Sequence, residues 1–189
     1  MKLCRQTRVL LSVAFTAISA SFPALAWTAS GAPWAGVVTY VVDGDTLQVR
    51  PPEGGKPVSI RIDGIDAPEI CQPGGTTSRN ALKRKLLGKR VLVYSKVHDG
   101  YDRLVARIVL NGEDQGRWMV AHGLAWSYRY RNYAGPYAVQ QRQAEHAGLG
   151  LFSPALTPAP AYPGKFRKQH GSCYFQLSLK RLESPSPLA

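Results

Sequence analysis

The sequence predicts an α+β domain built on a five-stranded closed β-barrel of the OB type, with Greek-key connections and about three helices. Short β-branched or alternating runs recur along the chain, and turn residues separate them. A helical pattern falls between the third and the fourth of these runs. Five short strands with a helix in that place are typical of this small barrel.

Each predicted strand ends at a turn signal. The first three strands form a meander, with Asp43-Gly44-Asp45 as the first turn and a Pro/Gly loop at residues 51–56 as the second. The turn at residues 98–101 separates the last two strands. The five predicted strands are residues 36–42, 46–50, 58–62, 91–97 and 104–110.

Three helices are predicted from apolar spacing and end signals. The first begins near Thr77 or Ser78 as its cap and stops at Gly88. Residues 115–121 and 136–147 form the second and third. Beyond Phe152 the chain is rich in proline, which predicts an extended or mobile segment, with some strand character at residues 171–179.

The N-terminus has the three parts of a secretory signal. A basic start is followed by an apolar stretch and then by Ala24-Leu25-Ala26, a small-x-small cleavage pattern. The apolar stretch is shorter than the ~20 residues of a membrane span, although an uncleaved anchor stays open as an alternative. We therefore expect a secreted or periplasmic protein. The expected order is a signal peptide at 1–26, a leader at 27–35, the barrel domain at 36–153 and a Pro-rich, basic tail at 154–189.

Export changes how the three cysteines are interpreted. Cys4 lies in the signal, which leaves Cys71 and Cys173 as an even pair in an oxidising compartment. A disulfide between them is possible and would close a loop of about 100 residues. The alternative is two unrelated thiols. Two cysteines without clustered histidines do not complete a metal site.

The chain is strongly basic. It has 24 lysine and arginine residues against 12 aspartate and glutamate residues, a formal net charge of +12. A field of this sign attracts polyanions. Nucleic acid is one such partner, but heparin-like polymers and anionic membranes would also be attracted.

Four carboxylates stand in two short segments that follow predicted strands. Asp43 and Asp45 follow the first strand, and Asp66 and Glu69 follow the third. Carboxylates placed in this way resemble a hard-cation site, because calcium takes six to eight oxygen ligands. Each segment by itself could also be a turn and nothing more.

Two arginines add the other half of a phosphoryl-transfer site. Arg61 lies on the third strand, and Arg103 follows the turn after the fourth. Guanidinium groups match phosphate oxygens in a bidentate manner and stay charged. Either arginine alone could be a solvated surface charge. The order of carboxylates and arginines around the strands favours one shared site.

This order of motifs resembles the staphylococcal nuclease family. The resemblance runs from about Gly36 to Phe152. The motifs that carry it are Asp43-Gly44-Asp45-Thr46, Arg61-Ile62-x-x-Ile65-Asp66-Ala67-Pro68-Glu69, Tyr101-Asp102-Arg103 and Gly123-Leu124-Ala125.

The resemblance implies an endonuclease that needs Ca²⁺ and hydrolyses phosphodiester bonds of DNA, RNA or both, leaving a 5′-hydroxyl and a 3′-phosphate. It implies calcium carboxylates at Asp45 and Asp66 and a backbone-carbonyl ligand at Ala67, where the best-known member of the family has a hydroxyl residue. Glu69 resembles the general base, and Arg61 and Arg103 resemble the phosphate clamp.

Other positions have weaker counterparts in the family. Asp43 matches a supporting carboxylate near the metal, and Tyr101 matches an aromatic near the terminal phosphate. Tyr128 or Tyr130 could stack on a base, or could pack against the barrel or a helix instead. The family implies no stable protein partner, and we expect a monomer.

Two functions without catalysis compete with the nuclease. Barrels of this type often bind nucleic acid without cutting it, and a basic envelope protein could bind polyanions through charge alone. The presence of both arginines and all of the site carboxylates favours the enzyme.

Overall fold

A closed five-stranded barrel forms the centre of the computed structural model, which describes residues 32–171 and residue 173. Its strands are antiparallel to their neighbours in the order β3-β2-β1-β5-β6, and a parallel pairing of β3 with β6 closes the ring. The barrel strands are β1 (Trp34–Val41), β2 (Thr46–Arg50), β3 (Val58–Ile62), β5 (Arg90–His98) and β6 (Leu104–Leu110). The predicted OB-type barrel is therefore confirmed.

Three two-residue strands complete the sheets. They are β4 (Ile65–Asp66), β7 (Glu113–Asp114) and β8 (Trp126–Ser127). β4 and β8 pair with each other outside the barrel, and β7 pairs with β6. The pairing of β4 with β8 ties the segment after β3 to the second half of the chain.

Within residues 32–171, four helices accompany the barrel. They are α1 (Gly75–Leu86), α2 (Gln115–Ala121), α3 (Ala138–His146) and α4 (Pro163–His170), and a 3₁₀ turn covers Gly150–Phe152. The second helix has the predicted bounds, and the third is shorter by two residues at its start and one at its end.

The start of α1 differs from the prediction. Gly74, with a φ of 87°, precedes the helix, so neither Thr77 nor Ser78 is its cap. Gly75 packs against the carbonyl of Glu69 so closely that a Cβ would lie 1.9 Å from that oxygen. Ser78 is instead buried within α1, and its hydroxyl donates to the carbonyl of Leu124 at 2.7 Å. The helix therefore begins at Gly75, where the close approach of the Glu69 carbonyl leaves no room for a side chain.

The core lies between the barrel and the helices. Alternate residues of the strands point inward, as the period of two along a strand requires. They pack against one face of α1 and the apolar residues of α2. The fully buried members include Leu47, Val49, Ile60, Ile62, Ile108, Leu82, Leu86, Met119 and Val120.

A polar contact joins α2 to α3. The Asp114 carboxylate caps α2 by accepting from the backbone N–H groups of Gly116 and Arg117, at 2.9 and 3.2 Å. The Tyr137 hydroxyl donates to the same carboxylate at 3.0 Å. Burial, helped by the neighbouring carboxylate, raises the pKa of Tyr137, so the phenol stays a donor.

The proline content predicts an extended or mobile segment after Phe152, but part of this segment is helical. Residues 163–170 form α4, which begins with Pro163 at its first position, where a missing N–H costs nothing. Of the strand-like residues 171–179, all but Gly171 and Cys173 lie outside the described residues, as do the predicted signal peptide and the first part of the leader. Within the described part of the chain, no helix has the length and apolar character needed to cross a membrane.

Candidate active site

The two predicted carboxylate segments meet at one end of the barrel. The turn between β1 and β2 approaches the segment after β4 and the side of α1. A Cβ at Gly44 would lie 1.9 Å from the Ser78 hydroxyl oxygen and 2.7 Å from the Ala67 Cβ. Glycine at position 44 therefore allows the Asp43–Thr46 turn to pack directly against the Asp66–Ala67 segment.

Arg61 lies between the two buried carboxylates. Its Nη1 forms an ion pair with Asp45, and its Nη2 lies 3.0 Å from Asp66 Oδ1. The same Nη2 donates to the carbonyl of Ile65 at 3.1 Å. The side chains of Asp45 and Asp66 are only 7% and 1% exposed, so the guanidinium is their main source of balancing charge on this side.

Asp45 is held in place from three sides. Its Oδ2 accepts from the Ala67 backbone N–H at 2.7 Å, and its Oδ1 accepts from the Thr46 hydroxyl at 3.0 Å. The Asp45 N–H donates to Asp43 Oδ1 at 3.0 Å. These contacts fix the carboxylate relative to both segments.

Asp43 lies in the turn beside Asp45. Burial raises the pKa of Asp43, although Arg61, Thr46 and Arg103 oppose that rise. Its contact to the Asp45 N–H shows that it stabilises the turn.

Arg103 joins the cluster from the start of β6. Its Nη1 donates to the Thr46 hydroxyl at 3.3 Å, and that hydroxyl in turn reaches Asp45. Asp99 orients the guanidinium by accepting from its Nε at 2.9 Å and from its Nη2 at 2.7 Å. The two arginines therefore lie on either side of one small network.

Arg167 of α4 links Glu69 to the rest of the site. Arg167 of α4 places its Nη1 2.7 Å from Glu69 Oε1 and its Nη2 3.5 Å from Asp66 Oδ2. Gln72 accepts from the Glu69 backbone N–H at 3.2 Å and so helps to hold the loop. Burial alone would lower the pKa of Arg167, but the two carboxylates outweigh it and raise the pKa.

Tyrosines predicted near the substrate lie at the surface. Tyr101 is 83% exposed, and the Arg103 guanidinium lies 5.3 Å from the centre of its ring. Tyr128 and Tyr130 are 44% and 60% exposed, so neither belongs to the barrel core. Their exposure leaves the rings accessible to a ligand.

The donor set suits a hard cation. Asp45 and Asp66 offer carboxylate oxygens only, and the Ala67 segment adds backbone oxygen, which matches the preference of calcium. Among the residues that the structure describes, no three or more His, Cys, Asp or Glu side chains are grouped as a ready metal cage. A calcium ion would therefore need water and substrate oxygens to complete its coordination.

The two cysteines are joined in the structure. The sulfurs of Cys71 and Cys173 lie 1.99 Å apart as a disulfide. Cys71 is two residues after Glu69, so the bond attaches the end of the described chain to the rim of the site.

Sequence reasoning missed three members of the network. Thr46 belongs to a turn motif, and its hydroxyl links Arg103 to Asp45. Asp99 lies in a predicted turn, and its carboxylate orients Arg103. Arg167 lies in the segment predicted as a tail. A disulfide between Cys71 and Cys173 could have indicated the position of Arg167, because it brings the residues just before Cys173 close to Glu69.

Several known proteins similar to this chain have nuclease names. The family model described as staphylococcal nuclease homologue matches residues 59–154. A protein of Escherichia coli O157:H7 named uncharacterized endonuclease is 35% identical over 134 residues, which span 70% of this chain and 86% of that protein. A protein of the same name from Haemophilus influenzae is 31% identical over 70% of this chain and 72% of its own length. The micrococcal nuclease of Shigella flexneri is 29% identical over 82% of this chain and 92% of its own.

Proposed function

The chain belongs to the staphylococcal nuclease family, and on this premise we propose that it is an exported endonuclease that depends on calcium and cleaves DNA, RNA or both. Its nuclease relatives support a hydrolase that acts on nucleic acids. One observation carries the proposal: Arg61 contacts two buried carboxylates, those of Asp45 and Asp66. Glu69 and Arg103 lie at the edges of the same network.

The reaction is hydrolysis of a phosphodiester. The oxygen of a water molecule forms a bond to phosphorus while the bond from phosphorus to the 5′ oxygen breaks. Glu69 takes the proton of the attacking water, which requires its carboxylate to be ionised and within hydrogen-bond reach. The departing 5′ oxygen takes up a proton from solvent water, and the other product keeps a 3′-phosphate.

Arg61 and Arg103 stabilise the charge that grows on the phosphate oxygens in the transition state. Their guanidinium groups suit this role because each can donate two parallel hydrogen bonds to a phosphate. Both are already oriented by aspartates, Arg61 by Asp45 and Asp66 and Arg103 by Asp99. Little reorganisation is then needed when the phosphate arrives.

Asp45 and Asp66, with the backbone carbonyl of Ala67, would hold the calcium ion. A bound calcium ion supplies positive charge to a phosphate oxygen and a site at which water can be oriented. Burial of both carboxylates strengthens their attraction for a cation, because little solvent screens it.

Export is proposed from the N-terminal pattern. The basic start, apolar stretch and small-x-small sequence before Trp27 match a secretory signal. An oxidising compartment also suits the bond between Cys71 and Cys173.

The decisive experiment is digestion of DNA and of RNA by the full chain with calcium, and then with a calcium chelator. We expect cleavage that stops on chelation and returns when calcium is added in excess. Rates unchanged by the chelator would remove calcium from the proposal. No digestion under any condition would favour a nucleic-acid-binding module.

The role of Glu69 is tested by Glu69→Gln, with Glu53→Gln as the matched control in the exposed loop after β2. We expect Glu69→Gln to lose about 10²–10⁴-fold in rate, the range of a general base, while Glu53→Gln cleaves like the wild type. Near-wild-type cleavage by Glu69→Gln would refute the assignment.

A further inference from the structure

The last described helix contacts both the candidate base and one of the candidate calcium carboxylates. Arg167 of α4 lies 2.7 Å from Glu69 and 3.5 Å from Asp66, residues 98 and 101 positions earlier in the chain. No motif of the nuclease pattern includes position 167, and the family model ends at residue 154. The contact therefore comes from a segment that lies outside the matched family domain.

Several contacts hold α4 against the site. The disulfide between Cys71 and Cys173 fixes the chain three residues after the helix, and the Cys71 N–H also donates to Cys173 Sγ. Before the helix, the Gln72 side chain donates to the carbonyl of Ala161. These contacts come from the loop that carries Glu69, so the helix and the loop form one unit.

Aromatic packing adds a second attachment. The Tyr162 ring meets the Trp126 ring edge-on, with their centres 5.9 Å apart. The Tyr162 hydroxyl also accepts from the Arg129 backbone N–H at 3.4 Å. Because both ends of α4 are attached, Arg167 stays close to the carboxylates even though its side chain is 41% exposed.

The Arg167 guanidinium changes how much negative charge the site offers to a metal ion. Asp45, Asp66 and Glu69 carry three negative charges when ionised, and Arg61 balances one of them. The remaining two match a divalent cation. With Arg167 in place only one is left, so the guanidinium and a calcium ion oppose each other at Asp66.

We propose that Arg167 is an internal cation that closes this site, pairing with Asp66 and Glu69 and competing there with calcium. This inference rests on the proposed function. While Arg167 is in place, the Glu69 carboxylate accepts from its guanidinium and is not free to accept from a water molecule. Arg167 must leave Asp66 before a calcium ion can use that carboxylate fully, so α4 sets the calcium concentration at which the enzyme works.

Calorimetric titration of calcium chloride into the full, oxidised chain tests the competition without relying on activity. Arg167→Ala should bind calcium about two- to fivefold more tightly than the wild type, the range expected when a partly exposed ion pair is removed. Arg167→Lys keeps the charge and should lie closer to the wild type. Lys168→Ala is the matched control, because it removes the same charge from an exposed neighbouring position of α4.

Digestion gives a second readout. Arg167→Ala should reach half-maximal cleavage at a lower calcium concentration than the wild type. Equal calcium affinities for Arg167→Ala and Lys168→Ala would overturn the inference. Weaker calcium binding by Arg167→Ala would also overturn it. A hundredfold loss of maximal rate would overturn it as well and would indicate that Arg167 acts on the substrate.

The inference and the proposed function fail in different ways. The control variant Asp66→Asn should lose calcium binding if the proposed site is correct. If the wild type binds calcium through Asp66 but Arg167→Ala binds no more tightly, only the inference fails. If neither protein binds calcium, there is no metal for Arg167 to oppose, and both are overturned.

Discussion

Replacing Arg61 with alanine should destabilise the fold as well as remove catalysis. Its guanidinium contacts Asp45 and Asp66, whose side chains are 7% and 1% exposed. Removing one partner of a buried ion pair leaves uncompensated charge and costs about 3–5 kcal/mol. We expect Arg61→Ala to lose about this much free energy of unfolding at neutral pH in calcium-free buffer. The loss is a large share of the ~5–15 kcal/mol typical of folded domains.

Urea unfolding and thermal melting both measure this loss. For a chain of this length, each kcal/mol shifts the melting temperature by about 2–4 °C, so a drop of roughly 6–20 °C is expected. Saturating calcium should narrow the gap, because a cation between the same carboxylates replaces the missing charge. Digestion is then measured well below the melting temperature, where the variant is folded. A loss of about 10²–10³ in rate is expected there, as for removal of one donor to the transition state.

Two further variants separate the buried charges from other effects of the substitution. Arg50→Ala removes an exposed arginine from the end of β2 and should change the free energy of unfolding by no more than ~0.5 kcal/mol. Adding Asp45→Asn to Arg61→Ala should restore part of the lost stability, because Arg61 is the ion-pair partner of Asp45 and its loss leaves that buried carboxylate without one. A loss below about 1 kcal/mol in Arg61→Ala, or no rescue by the second change, would refute the electrostatic reasoning.

Two other features lead to measurable expectations. Burial would raise the pKa of Asp99, but hydrogen bonds from Arg103 outweigh it, and the pKa lies below its ordinary value of 3.8. Asp99 therefore stabilises the folded state fully above that value and loses this contribution as the pH falls through the lowered pKa. The difference in urea stability between wild type and Asp99→Asn should shrink on acidification below about pH 4; a constant difference would contradict the shift. Replacing Cys71 and Cys173 together with serine should lower the free energy of unfolding by up to about 4.7 kcal/mol, the chain-entropy value for a loop of this size. Calorimetric melting measures it, and an unchanged melting temperature would show that the bond contributes nothing to the fold.

Much of the barrel could be predicted because its signals are local. Strand alternation and turn residues depend on neighbours one to four positions away, so β2, β3 and β6 have the predicted bounds. The start of α1 could not be predicted in this way. It depends on the contact between Gly75 and the Glu69 carbonyl, which the local helix signals at Thr77 and Ser78 do not reflect.

The candidate site also has features that could be predicted from local sequence and features that could not. The types and order of its residues are present in the sequence, since Asp45, Arg61 and Asp66 stand in recognisable motifs. That Arg61 lies between the two aspartates follows from the pairing of Thr46 with Arg61 across β2 and β3. The strand ranges alone do not give this register, because it also depends on how the loop at residues 51–56 is folded. The orientation of Arg103 by Asp99 required the turn geometry as well.

The barrel, the family and the chemical character of the site could all be predicted, because they depend on local patterns and on residue types at set spacings. The position of the C-terminal segment depends on long-range contacts instead. A Pro-rich, basic stretch has no periodicity that predicts a partner. Its helix is placed by a disulfide across 102 residues and by contacts to the Glu69 loop. Arg167 reaches Asp66 and Glu69 because distant parts of the chain are brought together, and no local pattern encodes that proximity.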